Sequence, residues 1–284
     1  MDKKYAYVAL LTTNNFMPGM LALWKSFTLT NSKYPLYCVV TPEITEENRR
    51  ILTVLGIKLI DRPEIPLTPA IYKFNTEHEH DHQGWYKAFS KFHVFGLEQF
   101  DKIVYLDNDL ILQKNIDDLF DKPHMSGVVD CEGLNSHNFD YLIKGDNYLK
   151  YFNSGVLVIE PSMQLYNNIM EFVNNIVPDR ILADQNILSM YYHEWKDNMD
   201  LHLPVYYNLL VTTLDKYLNL PWFNINEVKV FHFVNKKPWF YSKNQFMHLG
   251  NYGLMSIRYI DMINGVISML QDLGLTSKDL KIIQ

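Results

Sequence analysis

Lys102-Ile103-Val104-Tyr105-Leu106 is a short apolar run that passes directly into Asp107-Asn108-Asp109. A continuous run of this length and composition reads as a buried strand. Open α/β sheets bind their ligands outside the carboxyl ends of the strands, which is where the triplet falls. Two carboxylates two residues apart can hold a hard divalent cation, and such a cation can grip a diphosphate. An Asp-x-Asp triplet is also what many solvated turns contain, so the rest of the chain has to decide between the two.

Working outward, strand and helix signals alternate. Tyr5 to Leu11 reads as a strand, Pro18 to Thr28 as a helix, Tyr34 to Val40 as a strand and Glu43 to Leu55 as a helix with Gly56 as its C-cap. Lys58 to Asp61 is a third strand. A polar, Pro- and His-rich connection covers Pro63 to His82, and Trp85 to Phe100 reads as the helix before the Lys102 strand. This alternation implies a mainly parallel sheet with right-handed crossovers. The second half is less regular: Gly155 to Ile159 and Val228 to Val234 read as strands, and Tyr166 to Val177 and Ala183 to Trp195 as helices. Ser256 to Leu273 is a long amphipathic helix that closes the chain. With no repeat, low-complexity tract or linker, residues 1–284 are expected to form a single α/β domain.

Composition removes several function classes. The net charge is −6 with no clustered Lys/Arg, which argues against nucleic acid as a partner and against a polybasic membrane anchor. No stretch reaches transmembrane length. The apolar run after Met1 is too short for a leader peptide and lacks a small-residue cleavage site, so it reads as the first strand. Two cysteines, Cys38 and Cys131, without metal-ligand spacing, fit reduced thiols in a cytoplasmic protein.

Further motifs follow the triplet in order. They are Asn115-Ile116-Asp117-Asp118-Leu119-Phe120, Phe152-Asn153-Ser154-Gly155-Val156, Ala183-Asp184-Gln185-Asn186, Leu203-Pro204 with Tyr207-Asn208, and His232-Phe233 with Lys237-Pro238-Trp239. Singly, each has an ordinary reading: Asn153-Ser154-Gly155 as a turn, His232 as a core histidine, Asp184 as a first-turn carboxylate facing a helix dipole. As an ordered series from Tyr5 to about Tyr241, they resemble the glycogenin and galactinol-synthase group of retaining glycosyltransferases, family 8.

The resemblance implies a GT-A-type (Rossmann-like) nucleotide-sugar-binding domain with a mixed central sheet. It implies transfer of a hexose, glucose ahead of galactose, from a UDP-sugar to an acceptor hydroxyl on a carbohydrate or protein, with Mn²⁺ as cofactor. Asp107, Asp109 and His232 match the family's metal ligands, a set that suits manganese. Leu11, Thr13, Asn14 and Phe16 match the segment that holds the uracil and ribose, Phe16 near a base-stacking tyrosine. Lys91 and Asn108 fall beside the donor, and Lys237 matches a lysine on the diphosphate. Asp130, Asn153, Asp184 and Gln185 match residues that bond the donor sugar, and Asp184 and Gln185 are the candidates for supporting the chemistry.

The sequence also departs from the family. His82 stands where an arginine is frequent, with Lys87 as a candidate substitute. The segment between His232 and Lys237 is one residue shorter than in glycogenin, with Asn235 near a family glycine in the nucleotide site. The loop from Cys131 to Tyr151 is longer. Asp215 occupies the place of glycogenin's self-glucosylated tyrosine, and Tyr217 is the nearest phenol. An external acceptor is therefore favoured over self-glucosylation. A non-catalytic UDP-sugar-binding protein and a metal-dependent nucleotidyltransferase or phosphohydrolase are the remaining alternatives. The oligomeric state, a homodimer included, stays open.

Overall fold

The computed structural model describes residues 3–78, 83–130 and 151–284. In chain order its strands are β1 (Tyr5–Leu11), β2 (Leu36–Val40), β3 (Lys58–Asp61), β4 (Lys102–Leu106), β5 (Leu110–Leu112), β6 (Gly127–Val129), β7 (Phe152–Ile159), β8 (His202–Leu203), β9 (Leu209–Leu210) and β10 (Val230–His232). Seven of them form one sheet in the order β3-β2-β1-β4-β7-β6-β8, and β5-β10-β9 form a second. β3, β2, β1 and β4 are parallel, whereas β7 runs antiparallel to both β4 and β6. The central sheet is thus mixed, as anticipated.

Both faces of that sheet are covered, which explains why β1 and β4 are apolar throughout rather than alternating. Tyr7, Ala9 and Leu11 belong to one core cluster, shared with helix α1 (Met17–Leu29) and the C-terminal helix, while Ala6, Val8 and Leu10 belong to the opposite one. Helix α2 (Glu46–Val54) starts on Thr45, whose side chain accepts from the Asn48 amide. It ends at Gly56, whose φ of 81° is the left-handed conformation glycine adopts without a Cβ clash. The Gly56 amide donates to Thr53 and the Ile57 amide to Leu52, so the helix closes in a Schellman motif.

Several elements differ from the sequence reading. The Pro63–His82 connection contains helix α3 (Pro69–His78), announced by Thr68 as cap and Pro69 in the first turn. Residues 83–96 form a 3₁₀ helix rather than an α-helix. Phe89, Phe92 and Phe95, all fully buried, recur every three residues, the period at which a 3₁₀ helix aligns side chains on one face. β7 begins at Phe152, so Asn153 and Ser154 lie within a strand and not in a turn before it. β10 is only three residues long, Val230 to His232, and the chain bends at Asn235 and Lys236.

The remaining helices are α4 (Met163–Asn175), α5 (Asp184–Tyr191), α6 (Leu214–Leu218) and α7 (Gly250–Asp272). Among the described residues no helix is long and apolar enough to cross a membrane. α7 packs on α1, and its buried Tyr259 hydroxyl donates to the Asn108 carbonyl at 3.3 Å and lies 3.4 Å from that of Gly19. The C-terminal helix therefore braces the loop after β4 from behind.

α1 approaches the same loop so closely that a Cβ on Gly19 would lie 2.6 Å from the Asn108 carbonyl oxygen and 2.7 Å from the Trp239 ring. Gly19→Ala is expected to cost about 1–3 kcal/mol by overpacking, outweighing alanine's helix preference of about 1 kcal/mol. Gly265→Ala, inside α7 with open space around the new Cβ, is expected to gain roughly 0.5–1 kcal/mol. Thermal melts of the two variants should move in opposite directions; a Gly19→Ala protein as stable as wild type contradicts the close approach.

Candidate functional site

Between β4 and β5 the chain leaves one sheet and enters the other within three residues. The Asp107 amide donates to the Gly155 carbonyl at 2.8 Å, continuing the β4–β7 ladder. Asn108 turns inward and donates from Nδ2 to the Leu10 carbonyl, pinning the bend to β1. Leu110 opens β5 opposite His232, and the Phe233 amide donates to the Asp109 carbonyl. This ladder brings His232 beside Asp109 although 123 positions separate them in the sequence numbering. One ligand atom each from Asp107, Asp109 and His232 lies within 4.8 Å of the others.

The chemistry of these atoms fits a divalent cation. Asp109 is 5 % exposed, and its Oδ1, 3.2 Å from His232 Nε2, is buried without a hydrogen bond. A buried acceptor left unpaired costs on the order of 1–3 kcal/mol, and a cation between carboxylate and imidazole removes that deficit. The other oxygen, Oδ2, accepts from Lys237. Burial alone would raise the Asp109 carboxyl, but the Lys237 ammonium, and after it the His232 ring, outweigh this and hold the group well below the usual carboxylate range.

A second charged cluster adjoins the first. Lys91, from the 3₁₀ helix, is 4 % exposed and places Nζ 2.6 Å from Asp184 Oδ2 and 3.2 Å from Asp107 Oδ1. It donates as well to Ser154 Oγ at 3.0 Å. Burial would lower the ammonium's pKa, yet the two carboxylates outweigh it and raise the pKa above the ordinary lysine value. Asp107 Oδ1 also accepts from the Tyr105 hydroxyl at 2.7 Å. Tyr105 escaped the sequence reading, although its position two residues before Asp107 places both on one face of the strand.

Asp184 and Gln185 form the first turn of α5. Gln185 is held at both ends of its amide: Oε1 accepts from the Ser154 amide at 2.9 Å, and Nε2 donates to Asp130 Oδ2 at 2.6 Å. Asn153, Ser154 and Gly155 sit at an irregularity in the β6–β7 pairing, where Gly127 faces Leu157 but Val128 faces Asn153. Asn153 Oδ1 accepts from the Gly155 amide and from Asn208 Nδ2, and Asn208 Oδ1 faces His232 Nδ1 at 3.0 Å. A Cβ on Gly155 would stand 2.4 Å from the His232 ring, so only glycine admits the imidazole there.

Asp107 and Asp109 of the first cluster and Lys91 and Asp184 of the second border a 720 Å³ cleft at the carboxyl ends of β1 and β4, whereas His232, Asp130, Asn153 and Gln185 are not among its lining residues. Thr13, Phe16, Lys91, Asp107, Asn108, Asp109, Asp184, Asn235 and Lys237 line it, together with Thr12, Asn15, Lys236, Phe240 and Tyr241, which the sequence reading did not assign. Phe16 lies edge-on to Trp239 and Phe240, giving the cleft an aromatic corner. Asn235, near the family glycine, has a φ of 63°, a conformation asparagine tolerates better than most residues. Leu11 instead belongs to the core, and the Asn14 side chain turns to the start of α2, bonding the Glu43 carbonyl, Thr45 and Asn48. Lys87 is engaged by Glu43 and Glu64. Tyr217 is buried in the core against Trp222 and Phe223, and Asp215 accepts from Asn251. His82, Cys131 and most of the long Cys131–Tyr151 loop lie outside the described residues.

Residues 7–243 match the glycosyl transferase family 8. Galactinol synthase 2 of Arabidopsis thaliana is 30% identical over 264 residues, covering 84% of this chain and 74% of that protein. Galactinol synthase 1 of Solanum lycopersicum is 27% identical over 273 residues, covering 91% and 81%. Among solved structures, an active-site mutant of LgtC superposes with a TM-score of 0.61 at 16% identity, covering 92% of this chain and 95% of that one. GlyE of Streptococcus pneumoniae reaches 0.57 at 18% identity, covering 96% and 66%. At those identities the likeness is one of fold, the GT-A type. The family match across most of the sequence joins that fold to the carboxylates at the end of β4, and the chain belongs to glycosyl transferase family 8.

Proposed function

We propose that this glycosyltransferase moves a hexose from a UDP-sugar to the hydroxyl of a separate acceptor, with retention at the anomeric carbon and with Mn²⁺ on Asp107, Asp109 and His232. The observation that carries the reading is the convergence of those three side chains, with an unpaired Asp109 oxygen among them, beside a cleft that Asp107 and Asp109 line together with Lys91 and Asp184. A bound Mn²⁺ supplies Lewis-acid charge neutralisation to the departing UDP. Two carboxylates and an imidazole are a donor set that manganese accepts.

The chain's own residues supply the remainder. Lys237 adds a second positive charge for the diphosphate, of the kind that stabilises charge developing on a leaving group. Phe16, with Thr13 and the backbone after β1, forms the wall for the uridine. Lys91 holds Asp107 and Asp184 in place through its ion pairs with both. Gln185, tied to Asp130 and Ser154, is presented to the sugar with little rotamer freedom lost on binding. Asp184 is the carboxylate that supports positive charge at the anomeric carbon. The resemblance put glucose first; the names of the galactinol synthases bring galactose level with it. Cys38 is a free thiol that burial pushes up to about 12, so it is unreactive. A cytoplasmic setting belongs to the same proposal.

A panel of nucleotide sugars with Mn²⁺, scoring UDP release against formation of a glycoside, tests the reading. UDP binding without turnover on any acceptor would instead favour a sugar-nucleotide-binding protein. Asp109→Asn keeps the side chain's size and removes one anionic ligand. It is expected to lower transfer by at least about a hundredfold, and chelation should abolish wild-type activity. Full activity in either case removes the metal from the proposal.

Self-glycosylation would require the buried Tyr217 phenol to leave the core, and Asp215 would yield an ester rather than a stable glycoside. Intact-mass measurement after incubation with UDP-glucose or UDP-galactose and Mn²⁺ is therefore expected to show an unchanged protein, while an added carbohydrate acceptor stimulates UDP release. Hexose increments that disappear in Tyr217→Phe would overturn the external acceptor.

A further inference from the structure

His232 can meet a cation through Nε2 only if the ring's proton resides on Nδ1, and the path that decides this begins at a backbone amide. The Gly155 N–H can only donate, so the Asn153 atom 3.0 Å from it must be the amide oxygen. That same oxygen lies 2.8 Å from Asn208, so the Asn208 atom facing it must be the NH₂ group. Asn208 therefore turns its oxygen to His232 Nδ1, 3.0 Å away, and an oxygen there requires a protonated Nδ1. Amide ends are normally assigned by network rather than seen; here a donor of fixed polarity sets every later choice. Asn153, Asn208 and His232 are each at most 5 % exposed, so bulk water has little access to the chain that could reverse it.

We propose that Asn153 and Asn208 are positioning residues that transmit the polarity of the Gly155 amide to His232, fixing the Nδ1–H tautomer and leaving the Nε2 lone pair directed at Asp109. Which ring nitrogen carries the proton is set by what the other nitrogen bonds, and partners behind a metal-ligating histidine commonly fix both tautomer and ring orientation. In the neutral Nδ1–H tautomer the Nε2 lone pair lies 3.2 Å from Asp109 Oδ1, which has no hydrogen bond, and a cation between the two would satisfy both. It gives Asn153 a second task beside any contact with the donor sugar, since its Oδ1 is already shared between Gly155 and Asn208. Its consequence for metal binding rests on the Mn²⁺ reading above, whereas the tautomer itself does not.

The test is long-range ¹H–¹⁵N correlation of the His232 ring in metal-free protein, assigned by comparison with a His232→Gln variant, followed by Mn²⁺ titration read by electron paramagnetic resonance. The wild type is expected to show a protonated Nδ1; a bare Nδ1 with the proton on Nε2 overturns the proposal. Asn208→Leu, which can neither donate nor accept, is expected to lose the single tautomer and to bind Mn²⁺ about ten- to a hundredfold more weakly. Unchanged ring signals in a folded Asn208→Leu protein would also overturn it. Asn153→Asp preserves an acceptor for Gly155 and Asn208 and is expected to retain the Nδ1–H form, deciding the matter if Asn208→Leu does not fold; a shift to Nε2–H there counts against the relay. A wild type with the assigned tautomer but no Mn²⁺ binding upholds the relay and removes the metal reading instead.

Discussion

The site depends on three residues answering to two sheets at once. Asp107 continues the ladder of the central sheet through its amide, while the carbonyl of Asp109 already belongs to the ladder of the second sheet. Neither end of the triplet can shift without breaking backbone pairing, and Asn108 between them is tied to Leu10 on one side and Tyr259 on the other. The close approach of α1 at Gly19 leaves the loop no room to sink into the core. The carboxylates are thus placed by main-chain bonds and packing rather than by mutual attraction, and like charges can be held close together before any cation arrives.

Holding them there creates an electrostatic problem that Lys91 and Lys237 resolve. Burying a carboxylate is costly unless it is paired and hydrogen-bonded. Each lysine serves a different carboxylate: Lys91 lies between Asp107 and Asp184, and Lys237 caps Asp109. Replacing a buried ion pair by apolar groups is often neutral or favourable, so such pairs are poor evidence of stability. Their value here is positional. Lys91 couples Asp107 to Asp184 through one ammonium, and Ser154 fixes that ammonium's direction.

The parallel half of the fold was legible because its strands are continuous apolar runs, the pattern that burial on both faces produces. The Asp107 and Asp109 positions followed from the strand before them. What escaped the reading is equally physical. The 3₁₀ helix hid because an apolar stripe of period three looks helical at any coarse resolution, and α3 hid because a Pro- and His-rich composition masked its Thr68-Pro69 start. Asn14 matched a family position, but its side chain is absorbed in capping α2, a contact that chain order does not reveal. Tyr105 carried a readable signal in its strand phase. Asn208 carried none beyond its motif, because its role exists only once β9 and β10 are paired.

The bulge in β7 shows why the motif Asn153-Ser154-Gly155 has the composition it does. A regular antiparallel strand would spend these backbone groups on β6 and point its side chains alternately to the two faces. The irregular pairing with β6 frees the Ser154 amide for Gln185 and leaves its hydroxyl between Lys91 and Asp184. One residue later, the Gly155 carbonyl holds Asp107, its amide engages Asn153, and its missing side chain makes space for His232. One residue earlier, Asn153 reaches Asn208 behind that imidazole. Three consecutive residues therefore serve helix α5, the carboxylate loop and the histidine. A displacement of β7 would misplace all three together, which makes this bulge, rather than any one ligand, the element that keeps the two halves of the site in register.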